Sequence, residues 1–269
     1  MRLRIRLGIR LFLFFLVCNA LAFGALAIDV TSTKDNTAGH FSPFSLTSNA
    51  FTTANATELL VVFLGAGQAG TGGMPDLPDG VITGSVSGAG LTWQLAVRTN
   101  VQGGTAEIWY ALATTILTSQ TVTATLTVTG GTFNQIRGVS ITLVSFTGAS
   151  TSTGIGATGT GNAATGAPTA NLTTTQNNSW VFGVGVDWSN DTARTVGSGQ
   201  TIVHQDVDST NGITIWAQRQ NSTTPASGTS VTINDTAPTT DEWNLSLAEI
   251  LPFTPKGLSK SKKIERLSP

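Results

Sequence analysis

The second half of this chain repeats the first as an ordered set of strand-like blocks, and nothing else limits its fold as strongly. TELLVVFL, GLTWQLAVRT, AEIWYALA and GVSITLVSF, between Thr57 and Phe146, return in order as NSWVFGVG, GQTIVHQDVD, ITIWAQRQ and WNLSLAEIL, ending at Leu251. Each block is short, rich in β-branched and aromatic residues, and bounded by turn formers, which is the pattern of a strand. In TVTATLTV, Val122, Ala124, Leu126 and Val128 alternate with four threonines, so that strand has one dry and one wet face. LLVVFL (Leu59 to Leu64) is apolar on both faces and needs cover on each side, and Gly183 and Gly185 leave room for a close neighbour on one face of its counterpart. Either half alone would expose a wide apolar sheet. The predicted fold is therefore all-β: one antiparallel, jelly-roll-like β-sandwich built from two repeated halves of about five strands.

The body is preceded by an export signal. Arg2, Arg4, Arg6 and Arg10 form a positive segment, Leu11 to Leu21 is an apolar core too short to span a bilayer, and Ala25-Leu26-Ala27 supplies a small-x-small cleavage pattern. Residues 1–27 read as a signal peptide, residues 28–148 as the first half, 149–168 as a Gly/Thr-rich connection, 169–253 as the second half and 254–269 as a basic, disordered tail. Gly65 to Gly80 reads as a long loop. The expected location is secreted or cell-surface, with no integral membrane segment after cleavage. Cys18, the one cysteine, falls in the leader, so disulfide and thiolate chemistry play no part in the mature chain. Between Ile28 and Pro255 five basic residues face 14 acidic ones, a balance of −9, which repels phosphate backbones and argues against nucleic-acid binding.

The ordered set LLVV, LTW, AEIWYA, TVT and VSFTGA, followed by a Gly/Thr-rich bridge, SWVFGVG and a closing WNLSLAEIL, resembles a secreted bacterial β-sandwich domain of uncharacterised function. The resemblance covers Ser45 to Pro252 and implies a jelly-roll-like fold in extracellular or cell-surface proteins. It transfers no catalytic residue.

Chemistry is scarce. No GxSxG, HExxH or P-loop pattern occurs, and a glycan hydrolase would need a carboxylate pair that spacing does not supply. The chain reads as a non-catalytic module with a structural or adhesive role and no cofactor. Trp109 lies with Glu107, and Trp216 with Gln218, on the polar side of matching strands. Flat rings beside polar groups suit a polysaccharide or cell-surface ligand; the alternative is that they cover neighbours across the strands. Asp187 and Asp191, with Ser189 between, open like a calcium loop that lacks its glycine and closing Glu, and an Asx-capped turn explains them equally. His204, Asp206 and Asp208 share one side of a strand, as a metal row, a proton relay or a solvated face would.

Overall fold

The computed structural model describes residues 24–68, 80–130 and 135–255. Among them run β1 (Ala27–Asn36), β2 (His40–Phe41), β3 (Phe44–Thr47), β4 (Glu58–Gln68), β5 (Ile82–Gly88), β6 (Gln94–Thr99), β7 (Thr105–Ala113), β8 (Val122–Val128) and β9 (Gln135–Thr147). They continue as β10 (Ile155–Ala163), β11 (Thr169–Thr173), β12 (Trp180–Asp187), β13 (Thr195–Val196), β14 (Gln200–Asp208), β15 (Ile213–Gln220), β16 (Ser230–Ala237) and β17 (Trp243–Ile250). No helix long and apolar enough to cross a membrane occurs among the described residues.

The strands form four antiparallel sheets. One inner sheet has the order β1-β9-β4-β7-β6, with β2 beside β9, and the other has the order β10-β17-β12-β15-β14. Two outer sheets, β3-β8-β5 and β11-β16-β13, cover them. Position by position, the path from β1 to β9 (leaving out β2) is the same as that from β10 to β17. The correspondence extends to a bulge near the start of the first strand of each half, between Ile28 and Thr31 and between Ile155 and Thr158.

Three apolar layers separate the four sheets. Leu59, Val61 and Phe63 of β4 point at the other inner sheet, where Phe182 stacks on Phe63 at 5.7 Å and meets Phe146 edge-on at 5.1 Å. Leu60, Val62 and Leu64 point the other way, into a core closed by Val122, Ala124 and Leu126 of β8. Val181, Trp216, Ile233 and Leu247 fill the matching layer of the second half. LLVVFL is thus covered on both faces, as its composition requires.

The two inner sheets are also joined by hydrogen bonds. The fully buried Asn244 side chain accepts from the Val101 and Gln102 amides at 3.1 and 3.0 Å and donates to the Gln102 and Gly103 carbonyls. Thr99 donates to the Leu245 carbonyl at 3.0 Å and pairs with the Ser246 hydroxyl at 2.7 Å.

Three expectations need correction. Each half contains eight or nine strands, not about five, and is a two-sheet sandwich in its own right, so the molecule has four layers instead of two. The connection expected over residues 149–168 contains β10, which pairs with β17 along its length. It is rich in glycine because β11 passes very close: a Cβ at Gly159 or Gly161 would lie 2.4 or 2.3 Å from the carbonyl oxygens of Asn171 and Thr169. Gly65 to Gln68, read as the start of a loop, completes β4, while residues 69–79 fall outside the described residues. Residues 1–23 of the expected leader and 256–269 of the expected tail also lie outside them.

Candidate functional site

The face holding Trp109 and Trp216 is polar, but it is not wet. Strand alternation places these rings opposite Ile108 and Ile215, as the sequence indicates, but an outer sheet covers their side. Trp216 is 1% exposed and sits over Gly185, where a Cβ would approach the ring to 2.2 Å. Trp109 is half-buried, packs on the first half's core and donates through Nε1 to Glu107 Oε2 at 2.7 Å. Glu107 is fully buried, paired with Arg98 at 2.7 Å, and accepts from the Gly84 amide and the Thr105 hydroxyl. Gln218 is likewise fully buried. The proposed ring-and-amide groove is therefore replaced by interior packing, and neither Glu107 nor Gln218 can reach a ligand at the surface.

Each half instead sets an arginine on a buried carboxylate beside its tryptophan, half-buried Arg98 on Glu107 in the first and fully buried Arg194 on Asp187 in the second. In the second half Arg194 reaches in before β13, pairs with Asp187, lies 3.6 Å from Asp241, and stacks its guanidinium over Trp216 at 4.6 Å. Asp235 of β16 is 2% exposed in the same region, and neither of its carboxylate oxygens has a hydrogen-bond partner. Burial pushes Asp235 up to about 7, although Arg194 and the Gln218 amide pull the other way. Burial likewise raises Asp187 to about 6 despite Arg194. No spacing in the sequence brings Arg194, Asp235 and Asp241 together, because each comes from a different strand or loop.

A raised carboxyl in the folded state means that folding takes up a proton. The stabilisation is complete below the ordinary aspartate pKa and is lost as pH rises through the folded value. Stability is therefore expected to fall between pH 5 and pH 8, with Asp235 contributing about 3 kcal/mol of that fall. The lowered groups, Asp35 and Glu249, lose their contributions only at more acid pH. Urea melts at both pH values check this. Asp235→Asn should stabilise the chain at pH 8 and flatten the slope, and an unchanged slope would assign the dependence elsewhere.

Asp187 and Asp191 do not converge. Asp187 Oδ1 accepts from the Ser189 amide at 2.8 Å and the Asn190 amide at 3.2 Å, an Asx-capped turn, while Asp191 is exposed. Among the described residues no group of three or more His, Cys, Asp or Glu side chains is placed to hold a metal ion.

The β14 row meets a partner far away in sequence. His204 Nε2 lies 3.0 and 3.1 Å from the two carboxylate oxygens of Asp35 on β1, so the pair ties the edges of the two inner sheets together. Burial alone would raise Asp35, but hydrogen bonds from His204 and Ser140 outweigh it and hold the carboxyl below its usual range. Burial, together with the nearby charges of Asp35 and Asp208, pushes Asp206 up to about 6. Asp208 is turned to cap the following loop, accepting from the Thr210 and Asn211 amides at 2.9 and 3.2 Å. The row is a half-buried seam between sheets, not a solvated face.

The surface hollows lie at one end, where Gly24–Leu26, Gly148–Thr153 and Pro252–Pro255 meet. Three adjoining depressions of about 470, 350 and 630 Å³ share Phe253. Gln176, Asn177, Asn178 and the hydroxyls of Ser150 to Thr153 supply their polar groups. No acid lines any of them. No protein-family model, no curated protein and no solved structure matches the chain, so the resemblance to a secreted sandwich domain rests on the order of its strands alone.

Proposed function

We propose that this chain is an exported, non-catalytic surface module with a structural or adhesive role, made by using one sandwich unit twice. The observation that carries the reading is the outward face of the two outer sheets. On the first, Ser45 pairs with Thr125 at 2.8 Å, Thr47 with Thr123 at 2.9 Å and Thr83 with Thr127 at 3.1 Å, a ladder of uncharged hydroxyls. On the second, Thr169, Asn171, Thr173, Ser230, Thr232 and Thr236 are exposed. Such faces are broad, neutral and hydrogen-bonding, which suits contact with an extended surface better than capture of a small substrate. Among the described residues no acid lines the three hollows around Phe253, which leaves acid–base chemistry no carboxylate there.

Retention of the purified chain on insoluble cellulose, chitin and bacterial cell-wall sacculi tests the proposal. Thr123→Lys with Thr125→Lys is expected to lower retention about tenfold, roughly 1.4 kcal/mol, while stability changes by no more than about 0.5 kcal/mol. No retention on any of the three would count against adhesion.

A second reading, carbohydrate binding, moves from the buried tryptophans to the hollows around Phe253, where one aromatic ring stands among amides and hydroxyls. If Phe253→Ala abolishes retention and the threonine variants do not, that reading prevails.

A further inference from the structure

The fold uses residues that the Ala25-Leu26-Ala27 pattern would cut away. Leu26 is 9% exposed and belongs to the apolar layer between the two inner sheets. Ala27 pairs with Thr147 at the start of β1, ahead of the Ile28–Phe146 pair. Gly148 has φ +67°, and a Cβ there would lie 2.4 and 2.5 Å from the carbonyl oxygens of Gly24 and Ala25. The chain before Ile28 thus crosses directly over a position that only glycine can occupy.

The second half shows the same need. Before Ile155, the counterpart of Ile28, the Ser150 amide donates to the Leu251 carbonyl at 2.8 Å and the Leu251 amide to the Gly154 carbonyl at 2.9 Å. The unit therefore begins several residues ahead of its first bulge. Cutting after Ala27 would empty the place of Leu26 and put a charged amino group on the half-buried Ile28 beside Phe146.

The same small-x-small pattern occurs five residues earlier, as Ala20-Leu21-Ala22, at the end of the leader's apolar core. We infer that the leader is cleaved after Ala22, leaving Phe23 as the first residue and Gly24 to Ala27 in the folded body. The inference rests on the export reading. It assigns the processing site, which that reading leaves open.

The test is to express the full chain in a secreting bacterial host and measure the intact mass and first residue of the released protein. A chain beginning at Phe23 is the expected result. A chain beginning at Ile28 overturns the assignment but leaves export standing, whereas protein retaining Met1 overturns export and the assignment with it. Two leader variants read the same point before folding matters: Ala22→Leu should accumulate uncleaved, and Ala27→Leu, at an exposed position, should be processed like the parent. The reverse pattern contradicts the inference. Purified chains starting at Phe23 and at Ile28 provide a further reading, with the shorter one expected to melt about 5 °C lower or more, and equal melting counting against it.

Discussion

Replacing Arg194 by methionine is expected to cost about 3–5 kcal/mol, one of the two largest effects of any single substitution described here. The Arg194 side chain is fully buried, and its guanidinium is the cation facing Asp187 and Asp241, with Trp216 beneath it. Methionine nearly preserves the volume but leaves the carboxylates without a counter-charge in an interior that already pushes Asp187 and Asp235 up. The loss should therefore be greater at pH 8 than at pH 5, where the acids take up protons. Adding Asp187→Asn to Arg194→Met should recover part of the loss, and denaturant melts of the two single variants and the double variant measure the coupling. A loss below about 1 kcal/mol for Arg194→Met would mean that the cation does not balance the buried acids.

Phe182→Ala is expected to cost a similar amount, about 3–5 kcal/mol. Its ring touches Phe63 and Phe146 of the first half and lies 5.1 Å from Trp180 of the second, so the cavity opens in the layer that both halves share. Hydrogen exchange should show amides of β4 and β9 losing protection together with those of β12 and β17. Loss confined to β12 and β17 would show that the halves are stabilised independently.

The parts of this arrangement that were legible in the sequence are those that periodicity controls. Leu59 to Leu64 announced a strand with two dry faces, and Gly185 announced a close neighbour, which proves to be the Trp216 ring. Alternation also placed Trp109 with Glu107 and Trp216 with Gln218 correctly on a shared face. It could not tell that the face is roofed by another sheet, because the groups that neutralise it come from elsewhere: Arg98 for Glu107, Arg194 for Asp187. A polar row under a second sheet and a polar row in water have the same period. His204 likewise gave a correct row and no partner, since Asp35 is 169 residues away. The glycines of β10 looked like loop because the chain that demands them, β11, cannot be seen from their spacing.

Two complete sandwiches share one apolar layer and are therefore expected to fold as a single unit. Each half has its own inner core, around Leu60 and Val62 in one and around Trp216 and Ile233 in the other. Independent folding is thus a real alternative, opposed by the layer containing Phe63, Phe146 and Phe182 and by the hydrogen bonds of Thr99, Asn244 and His204 between the halves. Scanning calorimetry of the whole chain decides between them most directly. One transition whose calorimetric and van't Hoff enthalpies agree is the expected result. Two resolved transitions, or a calorimetric enthalpy near twice the van't Hoff value, would contradict it.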